Sequence, residues 1–223
     1  MRFDDIQKTY VITLPNSDRQ EETKRQLDNQ GIKFDWYTGI RNKEDGATGL
    51  RQTFKAIFTD CLKKGFNNVL IFEDDIEFCV KNNFQLGEMM KVIEDLPDNF
   101  QLCKFGANLL LPVSQVTENL NRIKLSYALH AVLYSRFGME WILKHIDYNE
   151  PIDVIIAKHI EPLGYCFASS KMIVTQRPTK SSIFVYEPEK HRNLQLYEKE
   201  TGVIRWDKLM EQQWANNTAH IKW

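Results

Sequence analysis

Residues Val69-Leu70-Ile71-Phe72-Glu73-Asp74-Asp75 decide how the rest of the chain is read. Four apolar side chains in a row, without polar alternation, fit a strand covered on both faces, as in the centre of an α/β sheet. Gly65 and Asn67-Asn68 separate this run from Leu50 to Lys64, where Phe54, Ile57, Phe58, Cys61 and Leu62 recur at helical spacing. The three acids stand at the carboxyl end of the strand. If strand geometry continues through them, Glu73 and Asp75 project to one side and Asp74 to the other. Carboxylates crowded against an apolar strand repel one another and lose hydration unless a cation compensates them. An acid-x-acid pair suits a hard divalent ion that also takes waters and phosphate oxygens, and Asp75, farthest out of the strand, is the better ligand. Helix capping or a simple strand end is the bland alternative.

Upstream, Tyr10-Val11-Ile12-Thr13-Leu14 is a buried strand stopped by Pro15-Asn16. Ser17 with Gln20 fits a capping box and predicts a helix from Arg19 to Gln30, ended by Gly31. Ile32 to Tyr37 then alternates as a half-buried strand, completing β-α-β. Downstream, a helix is expected over Phe84 to Leu96, strands over Leu102 to Gly106 and Ala128 to Tyr134, and a helix over Arg136 to His145. Val154 to Ile160 fits a helix or a buried strand equally. Thr179 to Gly202 is polar and reads as a long loop, and Trp206 to Trp214 is a last amphipathic helix. The class is α/β, a Rossmann-like, mostly parallel central sheet flanked by helices, with ligands expected outside the carboxyl ends of its strands.

At 223 residues the expectation is one domain over 1–223, with 179–203 a lid loop and 204–223 a C-terminal helical segment. Lys and Arg number 29 against 30 Asp and Glu, so no global positive field supports general nucleic-acid binding. Acids at Asp4 and Asp5 disfavour a secretory start, and no apolar run is long enough to cross a bilayer. A cytoplasmic location is expected, with peripheral contact at the inner face of a membrane allowed. Cys61, Cys79, Cys103 and Cys166 lack metal or disulfide spacing and read as packed thiols.

Thr48-Gly49, the following helix to Gly65, and Val69 to Phe78 together resemble the core of glycosyltransferase family 25, the lipooligosaccharide and collagen β-galactosyltransferase type. Leu14-Pro15, Arg19, Ala131 to Gly138, Pro151-Ile152-Asp153, and Gln176 ahead of Ser181-Ser182-Ile183 continue the resemblance in order over roughly residues 9–185. The resemblance implies a GT-A fold, a nucleotide-sugar donor, a divalent metal such as Mn2+ or Mg2+, and inversion at the anomeric carbon. It points to transfer of a hexose, galactose or glucose, from a UDP-sugar to a glycan acceptor in cell-surface polysaccharide or lipooligosaccharide synthesis. The chain departs from the family pattern at Thr13, at Thr53-Phe54 and at Ser182-Ile183. A degenerate relative that binds nucleotide or glycan without turnover is therefore the alternative.

Under the resemblance, Asp75 binds the metal, with Glu73 or Asp74 contacting ribose or a metal-bound water. Thr13, Leu14 and Pro15 border the nucleotide, and Arg19 and Arg51 reach base or phosphate. An inverting transfer needs a carboxylate to deprotonate the acceptor hydroxyl; Asp153 is the first candidate and Glu150 the reserve. His191, in the lid loop, is a further metal-ligand candidate. A helix N-terminus after Pro151 is the structural alternative for Asp153, and solvated surface roles are the alternative for Arg19, Arg51 and His191.

Overall fold

The computed structural model describes residues 1–43, 45–79, 85–178, 197–198, 203–204 and 206–219. The chain opens with β1 (Thr9–Thr13), α1 (Gln20–Asn29), β2 (Asp35–Thr38), α2 (Gly46–Lys63) and β3 (Asn68–Glu73). Next come β4 (Ile76–Phe78), α3 (Gln85–Glu94), β5 (Leu102–Lys104) and the short strands β6 (Asn108–Leu109), β7 (Ser114–Gln115), β8 (Leu120–Arg122) and β9 (Ser126–Tyr127). Then follow β10 (Ala131–Ser135), α4 (Arg136–His145), α5 (Ile152–His159), β11 (Cys166–Ser169) and β12 (Val174–Gln176). A two-stranded ribbon, β13 (Tyr197–Glu198) with β14 (Val203–Ile204), precedes α6 (Trp206–Thr218).

The main sheet has the order β2-β1-β3-β10-β5-β11-β8-β7. β1 is parallel to both β2 and β3, and β5 is parallel to β11, while β10 and β8 run against their neighbours. The sheet is thus mixed but largely one-directional, and β3 lies between a parallel and an antiparallel partner. Its non-alternating sequence is explained by burial on both faces. Val69 and Ile71 pack with Phe54, Ile57 and Phe58 of α2, Ile142 of α4 and Ile156 of α5. Leu70 and Phe72 pack on the opposite face with Leu27 of α1 and Met89, Val92 and Ile93 of α3.

Several expected boundaries shift for local reasons. The helix expected from Leu50 begins at Gly46, because the Asp45 carboxylate accepts from the backbone N–H of Ala47 at 3.0 Å and of Thr48 at 3.2 Å. The ambiguous Val154 to Ile160 run is helical as far as His159, the end of α5, with Ile160 as its C-cap. Ser17 does not form the expected capping box: α1 has Arg19 at its N-cap without a side-chain cap, and the Ser17 hydroxyl is used elsewhere. In α6, Met210 and Trp214 are buried, and Trp214 Nε1 donates to Ser170 O at 3.2 Å, as core packing requires. The four cysteines are free thiols, three of them buried. Among the described residues no helix is long and apolar enough to cross a membrane.

Candidate active site

Because β1 and β3 are parallel neighbours, with Ile12 opposite Glu73, their carboxyl ends open at the same edge of the sheet. A cavity of about 920 Å³ lies there. Its walls come from the ends of β1 and β3, residues 39–43, the first turn of α2, the β6/β9 ribbon, the start of α5, and Gln176 of β12. The 39–43 wall is held against α2 by close backbone approach. A Cβ at Gly49 would lie 2.4 Å from Ile40 O, and Thr53 Oγ1 accepts from Ile40 N at 2.8 Å while donating to Gly49 O at 2.8 Å. The departure at Thr53 keeps a hydroxyl on the cavity wall, whereas Phe54 turns into the core against Phe58 and Tyr134.

The acidic triplet is not a continued strand. β3 ends at Glu73, and Asp74-Asp75 form a turn, so the expected alternation fails beyond Glu73. Asp74 Oδ2 accepts from Thr13 Oγ1 and Ser17 Oγ, each at 2.7 Å, and its Oδ1 accepts from Arg19 Nη1 at 3.3 Å. The backbone carbonyl of Asp74 accepts from Arg177 Nη2 at 2.7 Å and from the Thr23 hydroxyl. Asp74 is therefore a scaffold of the site, with its oxygens already occupied.

Asp75 differs. One oxygen, Oδ2, accepts from Gln176 Nε2 at 3.4 Å and lies 3.6 Å from Arg19 Nη1. The other, Oδ1, is buried without a hydrogen-bond partner. Burial raises the Asp75 pKa; Arg19 opposes that shift, and the Asp74 charge adds to it. Glu73 is held well above the ordinary carboxylate range, first by burial and then by the charges of Asp75, Asp74 and Asp153. Both shifts come first from burial of the carboxyls at this strand end.

Asp153 does not cap α5, since Pro151 occupies the N-cap; it sits in the first turn, lines the cavity, and accepts from Val154 N at 2.9 Å. Thr13, Leu14 and Arg19 line the same cavity, as do Glu73, Asp74 and Asp75. Three expected residues do not line it. Pro15 is solvent-exposed in the turn after β1. Arg51 turns to the segment before α5, its Nη1 donating to Glu150 O at 2.9 Å and to Tyr148 O, so its role here is to hold that segment. Glu150 pairs with Lys158 at the surface. His191 and most of the expected lid lie outside the described residues. Among the described residues no group of three or more His, Cys, Asp or Glu side chains is placed to hold a metal ion.

Sequence reasoning missed several cavity residues. Arg41 and Lys43 bring positive charge to the cavity wall, from a polar stretch between β2 and α2 that carries no motif. Ser17 was hidden by its plausible capping role, and Asn108 and Tyr127 lie on two-residue strands too short to show a pattern. Arg177, which ties β12 to Arg19 O and Thr23 Oγ1 as well as to Asp74 O, follows Gln176 directly and had no motif to announce it.

No protein-family model matches this chain, and no curated protein matches it. Solved structures with some similarity include a glycosyltransferase involved in glycosylation of the major capsid of PBCV-1, at TM-score 0.48 and 11% identity over 72% of this chain and 80% of that one. Another is a mutant β1,4-galactosyltransferase 7 from Drosophila in complex with manganese, UDP-Gal and xylobiose, at TM-score 0.42 and 9% identity over 83% of this chain and 79% of that one. A third is apo UDP-glucose pyrophosphorylase, at TM-score 0.39 and 9% identity over 73% and 72%. Likeness at this level carries no argument about activity, which rests on the cavity itself.

Proposed function

We propose that the cavity is the donor site of a GT-A-type glycosyltransferase that moves a hexose, galactose or glucose, from a UDP-sugar to a glycan acceptor of the cell surface. The observation that carries this reading is Asp75 Oδ1, a buried carboxylate oxygen with no partner, at the carboxyl end of the central strand and on the wall of a cavity large enough for a nucleotide sugar. A divalent ion, Mn2+ or Mg2+, satisfies such an oxygen. The small donor set is compatible with an ion bound through one or two carboxylates and completed by waters and the donor's phosphates. Asp75 would hold it, with Glu73 second; when bound, the ion neutralises charge developing on the departing diphosphate.

The chain's own groups supply the rest. Arg41 and Lys43 attract the diphosphate by charge from the 39–43 wall. Arg19, fixed between Asp74 and Asp75, keeps the two carboxylates from separating while leaving Asp75 Oδ1 without a protein partner. Thr13 and Leu14 border the nucleotide at the end of β1. Asp153, on a rigid first helical turn, takes the proton from the acceptor hydroxyl as that oxygen attacks the anomeric carbon and the bond to the diphosphate breaks, inverting the centre.

The test is release of UDP from UDP-galactose and UDP-glucose with Mn2+ and a panel of glycan acceptors. Wild type is expected to release UDP in an acceptor-dependent manner, and Asp153→Asn to lose turnover by about two orders of magnitude or more while still binding UDP. Binding of UDP with no release from any hexose donor would establish the non-catalytic alternative.

A further inference from the structure

The β6/β9 wall of the cavity contains an unexplained polar atom. Asn108 is 8% exposed, lines the cavity, and its side-chain Oδ1 is buried with no hydrogen-bond partner. An unpaired buried amide is costly, and in native proteins such a group usually has an unseen partner. The surrounding structure holds Asn108 in place instead of letting it turn to solvent. Asn108 pairs with Tyr127 across the β6/β9 ribbon, and the next rung pairs Leu109 with Ser126. Ser126 is anchored in turn to a fully buried ion pair: its Oγ donates to Glu161 Oε1 at 2.7 Å and accepts from Lys104 Nζ at 2.9 Å, and Lys104 Nζ lies 2.9 Å from Glu161 Oε1. Beside Tyr127, Ala128 adopts a left-handed backbone at φ 70°, a conformation that costs a non-glycine residue free energy and is retained where the surroundings over-determine it. The ribbon is a wall of the cavity that holds one neutral amide oxygen without a partner.

The partner that fits is a hydroxyl. A phosphate only accepts, and a cation would favour the carboxylates of the acidic triplet; a hydroxyl both donates and accepts, so it satisfies the amide whichever end faces it. Resting on the donor-site reading above, we propose that Asn108 is the sugar-recognition residue of this cavity, accepting a hydrogen bond from a pyranose hydroxyl and thereby selecting among hexoses. The hydroxyl belongs either to the donor hexose or to the acceptor sugar, and the following measurement separates the two.

Calorimetric titrations in Mn2+ buffer would compare wild type with Asn108→Ala, using UDP, UDP-galactose, UDP-glucose and a free β-galactoside disaccharide. Asn108→Ala is expected to leave UDP affinity unchanged and to weaken one hexose-bearing ligand about five- to tenfold, the size of one lost neutral hydrogen bond. Loss confined to UDP-hexose assigns the donor sugar, and loss confined to the disaccharide assigns the acceptor. Equal weakening of UDP itself, or no change with any sugar, overturns the proposal. Should Asn108→Ala not fold, wild type titrated with monodeoxy forms of the same sugars gives the answer: one deoxy position should cost about five- to tenfold, and a flat series overturns the proposal. If wild type binds a sugar through Asn108 but no UDP, the subsite stands and the donor reading falls. If UDP binds and sugars add nothing, the reverse holds; if neither binds, both fall.

Discussion

Asp74 and Asp75, adjacent in the chain, lean on the same nitrogen of Arg19, which lies 3.3 Å from Asp74 Oδ1 and 3.6 Å from Asp75 Oδ2. The two carboxylates nevertheless have opposite characters. Asp74 spends its side chain on Thr13, Ser17 and Arg19, while Asp75 keeps one oxygen unpaired. Asp74→Asn should therefore lower stability by about 2 kcal/mol, since its amide cannot accept from donors on both sides. Asp75→Asn should cost nothing at neutral pH. The folded pKa of Asp75 is raised, so its ionisation destabilises the empty protein as pH climbs above the ordinary carboxylate value, and the amide removes that loss. Urea denaturation of the two variants at pH 7, side by side, checks the contrast.

His130 supplies the opposite pH dependence. It is fully buried, bonded through Nε2 to Val174 O at 3.0 Å, and burial pushes its pKa down to about 4. Unfolding lets it regain a value near 6.5, so the unfolded chain binds more protons between those two values. Stability from this residue is complete above about pH 6.5 and is lost as pH falls toward 4, by roughly 3 kcal/mol in all. His130→Gln should flatten that part of the curve in urea melts between pH 4.5 and 7, whatever its effect at pH 7.

The buried pair of Lys104 and Glu161, both 0% exposed, should respond asymmetrically. Lys104→Met leaves Glu161 charged and unpaired in the core and is expected to cost about 3–5 kcal/mol, whereas the double change Lys104→Met, Glu161→Leu should recover most of it. Thermal melts of the single and double variants measure the difference.

Arg51 braces the segment before α5 through the carbonyls of Tyr148 and Glu150. Arg51→Met should loosen the placement of Asp153 and lower turnover about tenfold while leaving UDP affinity within twofold, because Arg51 does not line the cavity. Steady-state kinetics and a UDP titration on the same preparation distinguish this from a lost phosphate contact.

The layout of the fold was legible where burial dictates sequence. Val69 to Phe72 had to be apolar on both faces, and Phe54, Ile57 and Phe58 had to recur at helical spacing, because the sheet and α2 bury those side chains. The acids stood out in the sequence because three of them follow a buried strand, and the fold puts all three on the cavity wall. Their geometry was not legible, since the turn at Asp74 depends on Thr13, Ser17, Arg19 and Arg177, contributed by β1, the turn leading into α1 and the residue after β12. The same limit hid Asn108, whose significance is an oxygen left without a partner by distant packing. Arg51 was misread for the converse reason: its position in a motif says where its backbone is, and only the fold shows that its side chain turns to the 148–150 carbonyls.

The central claim is that Asp75 joins a divalent cation to a nucleoside diphosphate in this cavity, and a calorimetric titration of UDP with and without Mn2+ tests it most directly. For wild type, Mn2+ should tighten UDP binding by about tenfold or more, and Asp75→Asn should abolish that gain while remaining folded. UDP affinity indifferent to Mn2+, or a gain equal in wild type and Asp75→Asn, would contradict the account.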